Sequence, residues 1–300
     1  MEPRTSNSEP EPEPIEPGTR NAEPGTRSFR GWTKPGVVPP GEISPPDIPA
    51  DQTLDALSGR FRIFQLKGGH RFSTDDVLTA WYGTTWVPSA RAALDLGSGI
   101  GSVGMIAAWR LPGARFVAIE AQPESVALAR RSAIYNGLAG RYDIRQSDFR
   151  TPEAFASGER FDLILGSPPY FPRGSGLQGD HPQKIACRFE LRGDVGDYAR
   201  VAAERLAGGG VFALVFPESQ RERVERAASD ARLVIVRRRP VAFRAGEPPL
   251  IGLYLLMRGS DLPESMRAQT WVEPTLTIRC ADGTVHPEYS AVKLSIGFPP

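Results

Sequence analysis

The chain of 300 residues is 40% hydrophobic and 24% charged, enough apolar material for one sizeable core and a single catalytic domain. A net charge of +1 carries no global mark of nucleic-acid binding, and the six Glu and four Arg among the first 30 residues leave the remainder near +3, so any case for RNA must be local. Two distant cysteines, Cys187 and Cys280, and three scattered histidines, His70, His181 and His286, give no metal spacing, no disulfide framework and no Ser-His-Asp set.

Residues 1–50 gather Glu-Pro repeats (Glu9 to Pro14), a duplicated Glu-Pro-Gly-Thr-Arg and a Pro-rich run through Pro49. Such a segment buries too little apolar surface to order itself, so a disordered tail is expected over 1–50 and a catalytic domain over 51–300. The start has no basic region leading into an apolar one, and no apolar window of about 18 residues follows anywhere, so a cytoplasmic location is expected.

A helix is predicted from about Ser73, then an apolar strand over 91–96 that runs into Gly97, Gly99 and Gly101 and a helical stretch from Ser102 to Arg110. Glycines there let backbone approach a ligand closely. The frame Gly99-x-Gly101-x-x-Gly104 matches a dinucleotide fingerprint, which is weak alone. Asp95, two residues before the first glycine, would repel a pyrophosphate and attract a cationic or amine-bearing ligand, which favours S-adenosylmethionine over a nicotinamide cofactor. The next strand, 115–120, ends in Glu120, placed to accept from both hydroxyls of a ribose of either cofactor. A third, 142–146, leads to Asp148, where a carboxylate can accept from an adenine amino group; singly, Asp148 also reads as a helix N-cap before Thr151-Pro152.

The most informative residues follow a fourth apolar run, Phe161 to Gly166. Ser167, Pro168, Pro169 and Tyr170 stand at its carboxyl end, the edge of an open α/β sheet where ligands bind. Two prolines make a stiff extended wall with carbonyl acceptors and no N–H donors. A planar amino group has two donors, which the Ser167 hydroxyl and the Pro168 carbonyl can accept while Tyr170 stacks on the attached ring. Alone, the motif also reads as a rigid loop with a packed Tyr; together with Asp95, the glycines, Glu120 and Asp148 at four successive strand ends, it reads as a ligand site.

Beyond it, Phe171 to Ile185 is expected as a mobile loop over the substrate, followed by a strand over 210–216, a helix over 217–230, strands near 232–239 and 250–257, a short strand at 275–280 with a turn at Asp282-Gly283, and a helical segment from His286 to Phe298. Alternation of this kind predicts an α/β, doubly wound parallel sheet with right-handed crossovers. The runs Arg237-Arg238-Arg239 and Arg221, Arg223, Arg226 read as solvated faces more readily than as phosphate contacts, because Glu222 and Glu225 pair with the latter set along a helix.

At these residues the chain resembles the Class I S-adenosylmethionine-dependent methyltransferases of exocyclic and amide nitrogens, whose motif is Asn/Asp/Ser-Pro-Pro followed by an aromatic. The segments Phe64 to Ala80, Tyr170-Phe-Pro and Cys187-Arg-Phe-Glu190 extend the resemblance to the bacterial tRNA(Val) adenine-N6 methyltransferase group, over roughly residues 60–297. That resemblance implies a seven-stranded Rossmann-like sheet with an edge hairpin whose final strand is antiparallel. It also implies S-adenosyl-L-methionine as cofactor, tRNA as partner, an anticodon-loop purine as target, and Phe72, Thr74 and Asp75 closing the cofactor's methionine end. Ser73 and Thr74 equally suit N-capping. The group usually has Asn where this chain has Ser167, and Ser occurs in amino-methylases of cytosine as well as adenine, which leaves the base open.

The expected chemistry is attack of the amino nitrogen on the sulfonium methyl, with Ser167 and the Pro168 carbonyl drawing the nitrogen toward tetrahedral geometry and Tyr170 clamping the base. A nucleotide in a single-stranded loop reaches such a pocket with little unstacking. Three other readings stand: a protein glutamine methyltransferase, which would carry a folded helical N-terminal substrate domain; a DNA amino-methylase, which would need a target-recognition domain; and a non-catalytic cofactor- or RNA-binding module.

Overall fold

The computed structural model describes residues 28–29, 31–172, 174 and 181–299. A short ladder of β1 (Ser28–Phe29) and β2 (Trp32–Thr33) and a single helical turn, α1 (Pro40–Ile43), precede an antiparallel hairpin of β3 (Gln52–Ser58) and β4 (Phe61–Leu66). Helix α2 (Thr74–Trp86) then leads into alternating elements: β5 (Ala92–Leu96), α3 (Ser102–Arg110), β6 (Arg115–Glu120), α4 (Pro123–Tyr135), β7 (Tyr142–Gln146) and β8 (Phe161–Gly166). After α5 (Pro182–Arg188) and α6 (Val195–Arg205) come β9 (Leu206–Pro217), α7 (Arg221–Asp230), β10 (Leu233–Arg244), β11 (Ile251–Arg258), β12 (Trp271–Val272), β13 (Leu276–Arg279) and α8 (Pro287–Ser295).

The main sheet has the order β12-β10-β11-β9-β8-β5-β6-β7, with β13 also paired to β10. β7, β6, β5, β8 and β9 are mutually parallel, and β11 runs antiparallel between β9 and β10. Apolar side chains alternate to both faces: one core gathers Leu78 of α2, Ile106 of α3 and Ala129 of α4, the other Tyr198 and Ala202 of α6 and Val224 of α7. A parallel sheet covered by helices on both faces is the doubly wound architecture that the alternation implied. The chain order reverses between β5 and β8, and the register pairs Leu96 with Gly166, so the turn at Gly97 and the residue Ser167 leave the sheet side by side. Ligands bind at such a switch point.

Several expectations need correction. Seven strands are joined by two short ones, β12 and β13, which lie parallel to β10 and extend the edge. The β3–β4 hairpin was not anticipated; its strands pack on α4, where Ser132 and Asn136 side chains accept from Phe64 and Arg62 N–H groups. A tail expected over 1–50 falls outside the described residues for 1–27 and 30, but residues 31–50 lie on the domain. Gly41 is buried so closely on Tyr135 that a Cβ would overlap the ring, Glu42 pairs with Arg60 at 3.0 Å, and the Asp47 carbonyl accepts from Arg131 at 2.9 Å. Proline-rich chain without a core of its own thus borrows the surface of α4. Of the loop expected over Phe171 to Ile185, residues 173 and 175–180 lie outside the described residues, and its last part is helical, in α5.

Candidate active site

The turn after β5 and the ends of β6 and β8 enclose a cavity of about 390 Å³. Asp95, the fourth residue of β5, is 1% exposed, and its Oδ2 accepts from the Gly104 N–H of α3 at 2.8 Å. Asp76, in the first turn of α2, closes a capping box with Ser73, accepting from the Ser73 N–H at 2.8 Å. Burial pushes the carboxyl of Asp95 up to about 8 and that of Asp76 up to about 7; the charge of Asp76 adds to the rise at Asp95, and that of Asp75 to the rise at Asp76. Glu120 is also raised, chiefly by burial, although the Gln122 N–H reaches its Oε1 at 2.7 Å and the Gly99 N–H its Oε2 at 2.9 Å. Buried acids crowded in this way are short of positive charge.

Glycine roles separate in the same turn. Gly99 has φ +54° and a Cβ there would meet no protein atom, so what its small size leaves open is the cavity. Gly101, at φ +86°, caps α3, and a Cβ there would come 2.9 Å from Met105; it is not among the cavity's walls. Ser98 lies in the wall with a buried Oγ that has no hydrogen-bond partner.

Ser167, Pro168, Pro169 and Tyr170 face the cavity from the opposite side. The Tyr170 ring meets Phe216 edge-on at 5.7 Å and 84°, and its backbone carbonyl accepts from Gln220 at 3.0 Å. The Tyr170 hydroxyl donates to Asp75 Oδ2 at 2.6 Å. Asp75 is therefore tied to the Pro-Pro-Tyr wall, and burial holds its carboxyl above the ordinary range. Thr74 departs from expectation: its side chain bonds Tyr289 of α8 and does not line the cavity, because one helical step turns it away from the face shared by Ser73 and Asp76. Asp148 lines the far end, accepting from Arg150 N–H at 3.0 Å and pairing with the Arg150 side chain at 2.6 Å; it is not the N-cap of the following 3-10 turn, which is Thr151.

Sequence reasoning missed Asp76, His70, Arg188, Arg192 and Tyr198, all of which line the cavity. For Asp76 a signal existed, the Ser73-x-x-Asp76 spacing of a capping box; the others are brought in by packing. After Tyr170, Phe171 N–H bonds the Arg188 carbonyl at 3.1 Å and the Glu190 N–H bonds the Phe171 carbonyl at 2.9 Å, so α5 is strapped over the mouth. Gln183, 2% exposed, joins His70 N–H to Ser125 at 3.0 Å on each side and anchors the same helix. Exposed Lys184 and Arg188 face His70, whose pKa is lowered first by burial and then by these two charges. The arginine runs are engaged elsewhere: Arg237 lies over Trp86 at 3.5 Å, Arg238 pairs with Glu218, Arg239 with Glu288, and Arg223 with Glu190 at 2.5 Å. Among the described residues no cluster of His, Cys, Asp and Glu could hold a metal, and no helix is long and apolar enough to cross a membrane.

Comparison with known proteins places this geometry. A family model described as "Methyltransferase small domain" matches residues 82–188. A tRNA1(Val) (adenine(37)-N6)-methyltransferase of Porphyromonas gingivalis is 31% identical over 240 residues, 77% of this chain and 89% of its own length. A protein of the same name from Aeromonas hydrophila is 29% identical over 222 residues, 73% of this chain and 86% of the relative. The solved structure of a predicted O-methyltransferase from Agrobacterium tumefaciens covers 75% of this chain and 98% of its own at 22% identity, with a TM-score of 0.58, which speaks to the fold alone.

Proposed function

The chain belongs to the family of the tRNA1(Val) (adenine(37)-N6)-methyltransferases, and we propose that it methylates the N6 amino group of an adenine in tRNA, the purine beside the anticodon. It is an S-adenosyl-L-methionine-dependent methyltransferase of Class I fold. The observation that carries the proposal is one cavity with buried carboxylates at one end and the Ser167 to Tyr170 wall at the other.

The residues present fit the cofactor. Asp76 and Asp95 lack positive charge, the Ser98 hydroxyl is buried without a partner, and Gly99 leaves room beside them. Asp95 and Asp76 would face the ligand's cationic part, Glu120 its ribose hydroxyls and Asp148 its adenine, with the Gly97 to Gly99 turn alongside. When bound, S-adenosyl-L-methionine supplies a methyl group made electrophilic by its sulfonium.

The chain's own residues then position the amine. An aromatic amino nitrogen is a poor nucleophile because its lone pair delocalises into the ring. Acceptors on both N–H bonds, the Ser167 hydroxyl and the Pro168 carbonyl, favour the pyramidal form, and Tyr170, braced by Phe216, holds the base plane. Prolines at 168 and 169 bring no N–H that would compete for the nitrogen's lone pair. The exposed cations Lys184, Arg188 and Arg192 at the mouth suit the phosphates of a loop that must enter it.

The test is incubation with methyl-labelled S-adenosyl-L-methionine and tRNA from cells lacking the protein, followed by digestion to nucleosides. Label in N6-methyladenosine, mapped to the anticodon loop, is the expected result. Label in another nucleoside, or in protease-sensitive material only, would overturn it.

A further inference from the structure

We propose that Asp75, acting through the Tyr170 hydroxyl, turns the Ser167 hydroxyl into an acceptor for the substrate's amino group and receives the proton which that nitrogen sheds. This rests on the reading of the substrate as a planar amine. A serine is an ambiguous partner for an amine, since its hydroxyl has one donor and two acceptor sites. Here the ambiguity is removed from behind. The Tyr170 hydroxyl donates to Asp75 Oδ2 at 2.6 Å, and the Ser167 hydroxyl bonds the Tyr170 oxygen as donor. With its hydrogen committed to Tyr170, Ser167 Oγ offers only lone pairs to the cavity it lines.

The chain is mechanically fixed at both ends. Asp75 belongs to the first turn of α2, whose start is locked by the Ser73–Asp76 capping box, and the Tyr170 ring is braced by Phe216. It also runs downhill for a proton. The methylated nitrogen carries one proton too many; its N–H bond breaks as a new O–H bond forms on Ser167, the original Ser167 proton passes to Tyr170, and the Tyr170 proton to Asp75. Ser167 and Tyr170 end neutral, and Asp75 ends as a carboxylic acid that returns its proton to water through the cavity. Burial, which favours the protonated form of Asp75, works in the same direction. Asp75 is thus a positioning residue, acting on the substrate through two hydroxyls.

The test is a comparison of backgrounds. Ser167→Asn replaces the hydroxyl by an amide carbonyl that accepts without orientation and passes no proton onward. Asp75→Asn and Tyr170→Phe are each made with and without it, and kcat on tRNA and the affinity for S-adenosyl-L-methionine, by calorimetry, are measured. In the otherwise unchanged enzyme each should lower kcat about tenfold or more, and in the Ser167→Asn background less than about threefold, with cofactor affinity unchanged. Equal losses in both backgrounds, no loss of kcat, or a loss that follows weakened cofactor binding would overturn the relay. If the unsubstituted enzyme makes N6-methyladenosine and the losses are equal, the relay alone fails. If it makes none, the functional reading fails and the relay falls with it.

Discussion

A methyl group on Gly97 would collide with the hydroxyl of Tyr198, which α6 carries beneath the turn after β5. Tyr198 is 4% exposed, stands edge-on to Phe149 at 4.6 Å, and its ring would also meet a Cβ on Gly166 at 2.9 Å. One aromatic residue therefore underlies both turns that frame the cavity, and both turns are small because of it.

Gly97→Ala should accordingly destabilise the protein by about 2–4 kcal/mol, the sum of overpacking and of strain at φ +61°. Adding Tyr198→Phe should recover the steric part and leave the backbone part. Chemical denaturation of the two variants measures both, and a Gly97→Ala protein as stable as the parent would refute the account.

Stability of the ligand-free protein should fall as pH rises. Asp95 and Asp76 keep their protons up to about 8 and about 7 when folded, against an ordinary value of 3.8. Unfolding releases those protons, so the stability they contribute is full below 3.8 and is lost as pH climbs through the folded values. The melting temperature should decline between about pH 5 and about pH 8, and Asp95→Asn should flatten the slope while weakening S-adenosyl-L-methionine binding. Parallel slopes for parent and variant would dismiss Asp95 as the source.

Arg237 should matter to folding and not to RNA. Its guanidinium lies 3.5 Å from the Trp86 ring and 5.3 Å from that of Trp271, with Glu273 at 3.6 Å, and so ties the edge strand β12 to α2. Arg237→Ala should cost about 1 kcal/mol of stability and leave the KM for tRNA unchanged. A raised KM at constant stability would move this arginine into the RNA interface.

Lys184 and Arg188 should behave in the opposite way. Both are exposed on α5 at the mouth of the cavity. Replacing either with Ala should weaken tRNA binding and reduce the slope of log affinity against log salt by about 0.7 for each phosphate left without its cation. An unchanged salt slope would show that neither meets a phosphate.

Residue order was enough to fix the strands of the sheet's parallel half, the α/β alternation, and the strand ends that hold Asp95, Glu120, Asp148 and Ser167 to Tyr170. These were legible because strand periodicity, a glycine turn and a Pro-Pro wall are local, each fixed by neighbours along the chain. Which distant groups meet was left to packing. Leu96 must pair with Gly166 before Gly97 and Ser167 stand together, and only the docking of α2 on the sheet brings Asp75 to a tyrosine 95 residues away. Packing also turned Thr74 from the cavity and Asp76 into it, and it pressed residues 31–50 onto α4. Burial, close approach and shared charge are properties of three-dimensional proximity, and no repeat or spacing along the chain encodes them.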